Sequence, residues 1–144
     1  MAYASLLGGL ALANAGLGAV HGFASPIGGM FPAPHGVVCA RLVAQVVRMN
    51  VILLQKKDLD HPGLKRYAEI GRILNGNPRA DGLEAADWLG NLCNELEIPP
   101  LAKYGIRAEH FPAIAASAAI ASSMKTNPVR LSADEMIEIL ASSQ

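Results

Sequence analysis

The apolar positions of this chain recur at helical spacing almost throughout. In segment 36–55, GVVCARLVAQVVRMNVILLQ, Val38, Leu42, Val46 and Met49 share one face, while Arg41, Gln45 and Arg48 turn away from it. That is the 3.6-residue period of an amphipathic helix. DHPGLKRYAEIGRIL places Pro62 where a first helical turn tolerates it, with Leu64, Tyr67, Ile70 and Leu74 along one side. DGLEAADWLGNLCNELEIPP opens with Asp81 and Glu84 at capping-box spacing. Leu89, Leu92, Cys93 and Leu96 then line one side, and Pro99 predicts the stop. RAEHFPAIAASAAIASSMK is alanine-rich and predicts another helix, and LSADEMIEILASS repeats the capping box with Ser132 and Glu135. No run alternates with the period of two that a half-buried strand requires. The pattern predicts an all-α, multi-helix bundle of about six helices, one helical domain over residues 1–144.

The first forty residues follow a different pattern. Residues 4–20, ASLLGGLALANAGLGAV, have no polar face, and no Asp, Glu, Lys or Arg precedes Arg41. The stretch lacks the basic start of a signal peptide. It is short for a membrane span, is interrupted by Asn14 and several glycines, and has no flanking Lys or Arg anchors. The expectation is a helix buried on nearly every side, with no membrane partner. Over the whole chain 12 Lys and Arg balance 12 Asp and Glu, which removes any electrostatic case for nucleic acid or an anionic membrane surface. Cys39 and Cys93 match no disulfide or zinc framework and read as reduced thiols of a cytoplasmic protein. Repeats, a P-loop and G-x-G-x-x-G are all absent from the sequence.

Candidate chemistry is concentrated in residues 18–40, GAVHGFASPIGGMFPAPHGVVCA, which hold His21 and His35 among glycines, prolines and small apolar residues. His21 is expected near the end of a short helical segment and His35 in the first turn of the next helix. The partial positive charge of a helix N-terminus disfavours an imidazolium there, and neutral imidazole is the metal-ligating form. The Gly-Gly and Pro-Ala-Pro elements predict a tight reversal that can bring the two rings together. Their spacing of fourteen matches neither a zinc finger nor H-E-x-x-H. From these residues alone, two satisfied, partly buried histidines and a metal-binding pair both stand. His61, ahead of Pro62, is expected as an exposed cap and His110 as a solvated side chain. Lys125, Asn127 and Arg130 are expected to supply loop and cap chemistry, and Trp88 core packing.

The stretch NAGLGAVHGFASPIGGMFPAPHG resembles the motif of the iron-containing alcohol dehydrogenase family: N-x-G-L-G-x-x-H, a small apolar turn, then P-H-G. MAYASLLGGLALANAG is similar to the family helix leading into that motif. MKTNPVRLSADEMIEIL is similar to its T-N-P segment and last helix, so the resemblance covers essentially the whole chain. It implies part of an all-helical C-terminal domain, with His21 and His35 as ligands of Fe(2+) or Zn(2+) and with NAD(P) as the hydride carrier of the complete enzyme. Where many members carry a further histidine four residues after the first, this sequence has Ser25. The resemblance also implies a nucleotide-binding domain and two further ligands, an aspartate and a histidine four apart, none of which lies in these residues.

The expected function is therefore the metal-bearing helical portion of an NAD(P)-dependent alcohol dehydrogenase. No catalytic residue is assigned to this chain. Alone it is expected to be inactive, to bind no NAD(P), and to hold metal weakly or not at all, because two imidazoles are half a ligand set. The alternative is a non-enzymatic helical module. Residues 4–20 are expected to drive homo-oligomerisation, with the missing nucleotide-binding domain as another partner.

Overall fold

The computed structural model describes residues 2–144, in which seven α-helices are joined by short loops and 3-10 turns, with no strand among the described residues. The helices are α1 (Ala2–Ala15), α2 (Ala19–Met30), α3 (His35–Lys57), α4 (Pro62–Asn75), α5 (Gly82–Glu95), α6 (Phe111–Ala119) and α7 (Ala133–Ala141). The 3-10 turns are Leu101–Tyr104, Ala108–His110 and Ser122–Thr126.

Helix α3 is the axis of the molecule. Its predicted apolar face, Val38, Leu42, Val46 and Met49, is buried and meets Phe23 and Ile27 of α2, Ile114 and Ala118 of α6, and Ile139 and Leu140 of α7 in one core. Another side packs on α5 through buried Ala44 and Val51, flanked by two arginines. There Arg48 pairs with Asp87 at 2.5 Å and Arg41 donates to Asn94 at 3.2 Å. By length and composition α3 could cross a membrane. Here it packs against α2, α4, α5 and α7, with Val43 and Val47 lining a groove on the remaining side.

The local caps form as their residues predict. His61 sits ahead of Pro62, and its Nδ1 accepts from Gly63 N at 3.0 Å. It is half-buried rather than exposed. Asp81 accepts from Leu83 N and Glu84 N at 2.8 and 3.0 Å, while Glu84 returns the bond to Asp81 N at 2.8 Å. Ser132 and Glu135 close the same reciprocal box on α7. Replacing Asp81 by alanine removes the one oxygen that accepts from two N–H groups in the first turn of α5. The expected cost is about 1 kcal/mol, read as a lowered thermal midpoint with unchanged far-ultraviolet dichroism at room temperature.

Several expectations need correction. Residues 4–20 do not form one helix buried on every side. The chain breaks at 16–18, where Gly16 takes a left-handed φ of 73°, and α1 and α2 diverge by 96°. No residue of α1 is buried, and Leu6 and Leu10 are 60% and 52% exposed. The break thus moves His21 from the end of a helix to the first turn of α2.

Helix α5 ends at Glu95, before Pro99 can act. Glu97 turns left-handed at φ 51° and Ile98 N donates back to Cys93 O at 3.0 Å. Leu96 falls in this turn and is exposed, as is Ile70 on α4. The alanine-rich segment is broken too. Pro112 stands in the first turn of α6, and the chain leaves the helix after Ala119 to enter a 3-10 turn. Trp88 is half-buried on α5 rather than a core residue. His110 is held rather than solvated: its Nδ1 accepts from Arg107 N at 3.0 Å and its ring meets Phe31 edge-on at 5.0 Å.

Candidate metal centre

Two helix N-termini meet at this site. Helix α2 starts after Gly18, whose own side cannot cap it. The cap comes from across the fold: Asn127 Oδ1 accepts from Ala19 N at 3.2 Å. Asn127 is itself fixed by Asn50 of α3. Asn50 Nδ2 donates to Asn127 Oδ1 at 3.1 Å, Asn127 Nδ2 donates to Asn50 Oδ1 at 2.8 Å, and Asn127 Nδ2 also reaches Val129 O at 2.8 Å. Asn50 is buried, and its Nδ2 also donates to Tyr67 Oη at 3.0 Å. Beside this pair Thr126 Oγ1 donates to Leu17 O, with the Thr126 side chain against Gly16. The T-N-P segment therefore does supply cap chemistry, over a long sequence distance. Lys125 and Arg130 are exposed beside it.

His21 lies in the first turn of α2. The helix then runs through Pro26 and the Gly28-Gly29 pair, and the reversal is confined to residues 31–34. His35 opens α3 after Pro34, as expected. The two rings approach with centroids 5.3 Å apart and planes tilted by 48°. Cys39 stands one turn below His35 on the same face. Its Sγ is 3.4 Å from His35 Nε2 and 3.9 Å from His21 Nε2, and all three donor atoms lie within 4.8 Å of one another. Desolvation raises the Cys39 thiol above its ordinary pKa.

The sequence offers two candidate donors here, and the structure brings a third to them. The available signal was the i, i+4 spacing of His35 and Cys39, which puts two ligating side chains on one helix face. Cys93, by contrast, is buried away from the site, where it accepts from Arg41 Nη1 at 3.5 Å and donates to Ala40 O at 3.6 Å. Both cysteines are free thiols. Ser25 is one turn beyond His21 and exposed.

The donor set suits a divalent transition ion. Two imidazole nitrogens converge with no other side-chain or backbone partner than Cys39 among the described residues, which leaves their lone pairs available. An open groove of about 620 Å³ reaches His21 and Cys39 between apolar walls that include Leu17, Val20, Val43 and Val47.

The whole of residues 1–144 matches the model of the Fe-containing alcohol dehydrogenase family, C-terminal. The chain is 34% identical to 1,3-propanediol dehydrogenase of Citrobacter freundii, over 96% of this chain and 35% of that protein. It is 31% identical to lactaldehyde reductase of Escherichia coli (strain K12), over 96% of this chain and 36% of that one. A crystal structure of 1,3-propanediol oxidoreductase superposes with a TM-score of 0.83 at 30% identity, covering 99% of this chain and 37% of its own. The chain thus spans about a third of the length of these relatives. An all-helical fold with two motif histidines at converging helix starts, matched along its full length, places the chain in the Fe-containing alcohol dehydrogenase family, as part of its C-terminal domain.

Proposed function

We propose that this chain is the metal-bearing helical portion of an NAD(P)-dependent oxidoreductase that interconverts alcohols and aldehydes. The observation that carries this reading is the meeting of His21 and His35 at two helix starts inside the family fold. A bound divalent ion would polarise the alcohol or carbonyl oxygen as a Lewis acid while a nicotinamide takes or gives hydride. The residues of this chain hold and orient. His21 and His35 would hold the ion through ring nitrogens carried on the first turns of α2 and α3. The Asn50–Asn127 pair fixes the start of α2 and with it the His21 ring. Ser25, on the His21 face, can pass on a proton only while receiving another.

Nucleotide binding and the remaining metal ligands belong, on this reading, to residues outside the chain. The chain alone should then give no saturable NADH or NADPH titration by fluorescence and no alcohol oxidation with iron or zinc added. Turnover that tracks this chain would overturn that expectation. A cytoplasmic location follows from the same reading.

A second reading is favoured by α1, whose apolar side chains are uncovered. Covering several hundred Å² of such surface is worth roughly 10 kcal/mol gross, against about 4–15 kcal/mol for association. A symmetric dimer through residues 4–20 is therefore the proposed state of this chain in isolation. Sedimentation over a dilution series should detect it. A monodisperse monomer at tens of micromolar sinks it.

A further inference from the structure

We propose that Cys39 is a third metal ligand, so that His21, His35 and Cys39 form a two-nitrogen, one-sulfur half-shell that prefers zinc to ferrous iron. The inference rests on the reading of His21 and His35 as ligands and deepens it.

Geometry is the first support. In tetrahedral zinc sites Zn–N is about 2.0–2.1 Å and Zn–S about 2.3 Å, which sets the N···S edge at about 3.6 Å. The two Cys39 edges in this structure, 3.4 and 3.9 Å, bracket that value. His35 and Cys39 are held one turn apart by continuous α-helix, so their edge is built in by the backbone. Only the His21 ring comes from another element, and its helix start is clamped by Asn127.

The second support is the contrast between the two thiols. Cys93 is occupied by Arg41 and by the Ala40 carbonyl. Cys39 has the two imidazoles as its only hydrogen-bond partners among the described residues, and it borders the groove through which an ion can enter.

The third support is chemical. A thiol binds as thiolate, its proton leaving to solvent, and places a soft, anionic donor in the shell. Sulfur donors favour zinc, while oxygen-rich shells suit harder ions.

The test uses cobalt(II) as a spectroscopic stand-in for zinc on the full chain, with zinc and ferrous iron affinities from chelator competition. The cobalt-loaded chain should show a near-ultraviolet sulfur-to-metal charge-transfer band. Cys39→Ser and Cys39→Ala should each lose the band. Both should lower zinc affinity about 100-fold, at least the loss that follows disruption of a ligand's supporting shell, and shrink the zinc-over-iron preference. Cys93→Ser should keep all three properties. A missing band in the parent chain, or unchanged zinc affinity in both Cys39 variants, would overturn the assignment. If His21→Ala and His35→Ala still abolish binding in that case, the histidine reading survives it. If they leave binding unchanged, that reading falls as well. Far-ultraviolet dichroism of every variant identifies a loss caused by unfolding.

Discussion

Asn127→Ala should lower stability by about 2–4 kcal/mol and weaken metal binding in the same protein. Three losses coincide. Ala19 N at the start of α2 loses its acceptor, worth about 1 kcal/mol as a helix cap. Asn50 Oδ1, inside the core, loses its donor, and an unsatisfied buried acceptor costs about 1–3 kcal/mol. The bond to Val129 O disappears as well. Tyr67 still accepts from Asn50 Nδ2, so the pair is crippled rather than erased. Because His21 follows two residues after the orphaned Ala19 N, fraying there displaces a ligand. Chemical denaturation gives the first effect and zinc or cobalt titration the second. Unchanged metal affinity in a variant destabilised as expected would show that the α2 start is held by packing alone.

Gly71→Ala should be the most damaging glycine substitution in the chain, at about 3 kcal/mol. Gly71 is the buried residue of α4, and a Cβ there would overlap the carbonyl oxygen of Asp81, the N-cap of α5. The carbonyl is backbone, so relief requires moving the start of α5. That start has nowhere to go: a Cβ on Gly82 would already stand 2.8 Å from Tyr67 Cβ and 2.9 Å from Val51 Cγ2. Gly90→Ala on the same helix is the control. Its added methyl would meet Ala44 Cβ at 3.8 Å, ordinary contact, and should stabilise by about 0.5–1 kcal/mol through helix propensity. Thermal or denaturant melts of the two variants should move in opposite directions. Equal melting of Gly71→Ala and the parent would mean that the α4–α5 contact is far softer than its geometry.

What the sequence made legible is what is decided within a helical turn or two. The capping boxes at Asp81 and Ser132 are closed by residues three positions away, and the buried face of α3 is written in its own period. Leu96 and Ile70 share the same apolar code, yet lie where the chain turns or where α4 meets no neighbour. The break between α1 and α2 turns at Gly16 and is braced by Thr126 and Asn127 from the other end of the chain, a contact that local pattern does not carry. The family motif identified His21 and His35. Cys39 was hidden by its residue type, since a thiol in an apolar helix reads as a small hydrophobe until the His21 ring is placed beside it.

The long-range cap on α2 also has a consequence for the order of folding. Asn127 and Ala19 are separated by 108 positions, whereas Gly71 and Asp81, where α4 meets α5, are ten apart. Closing the longer loop costs about 2 kcal/mol more in chain entropy, and contacts of high sequence separation come late. The α4–α5 hairpin can therefore zip against α3 while the start of α2 is still uncapped. The start of α2 is fastened last, when the segment around Asn127 returns to cap the helix that carries His21. The same long-range fastening is then the first to open when the fold begins to come apart.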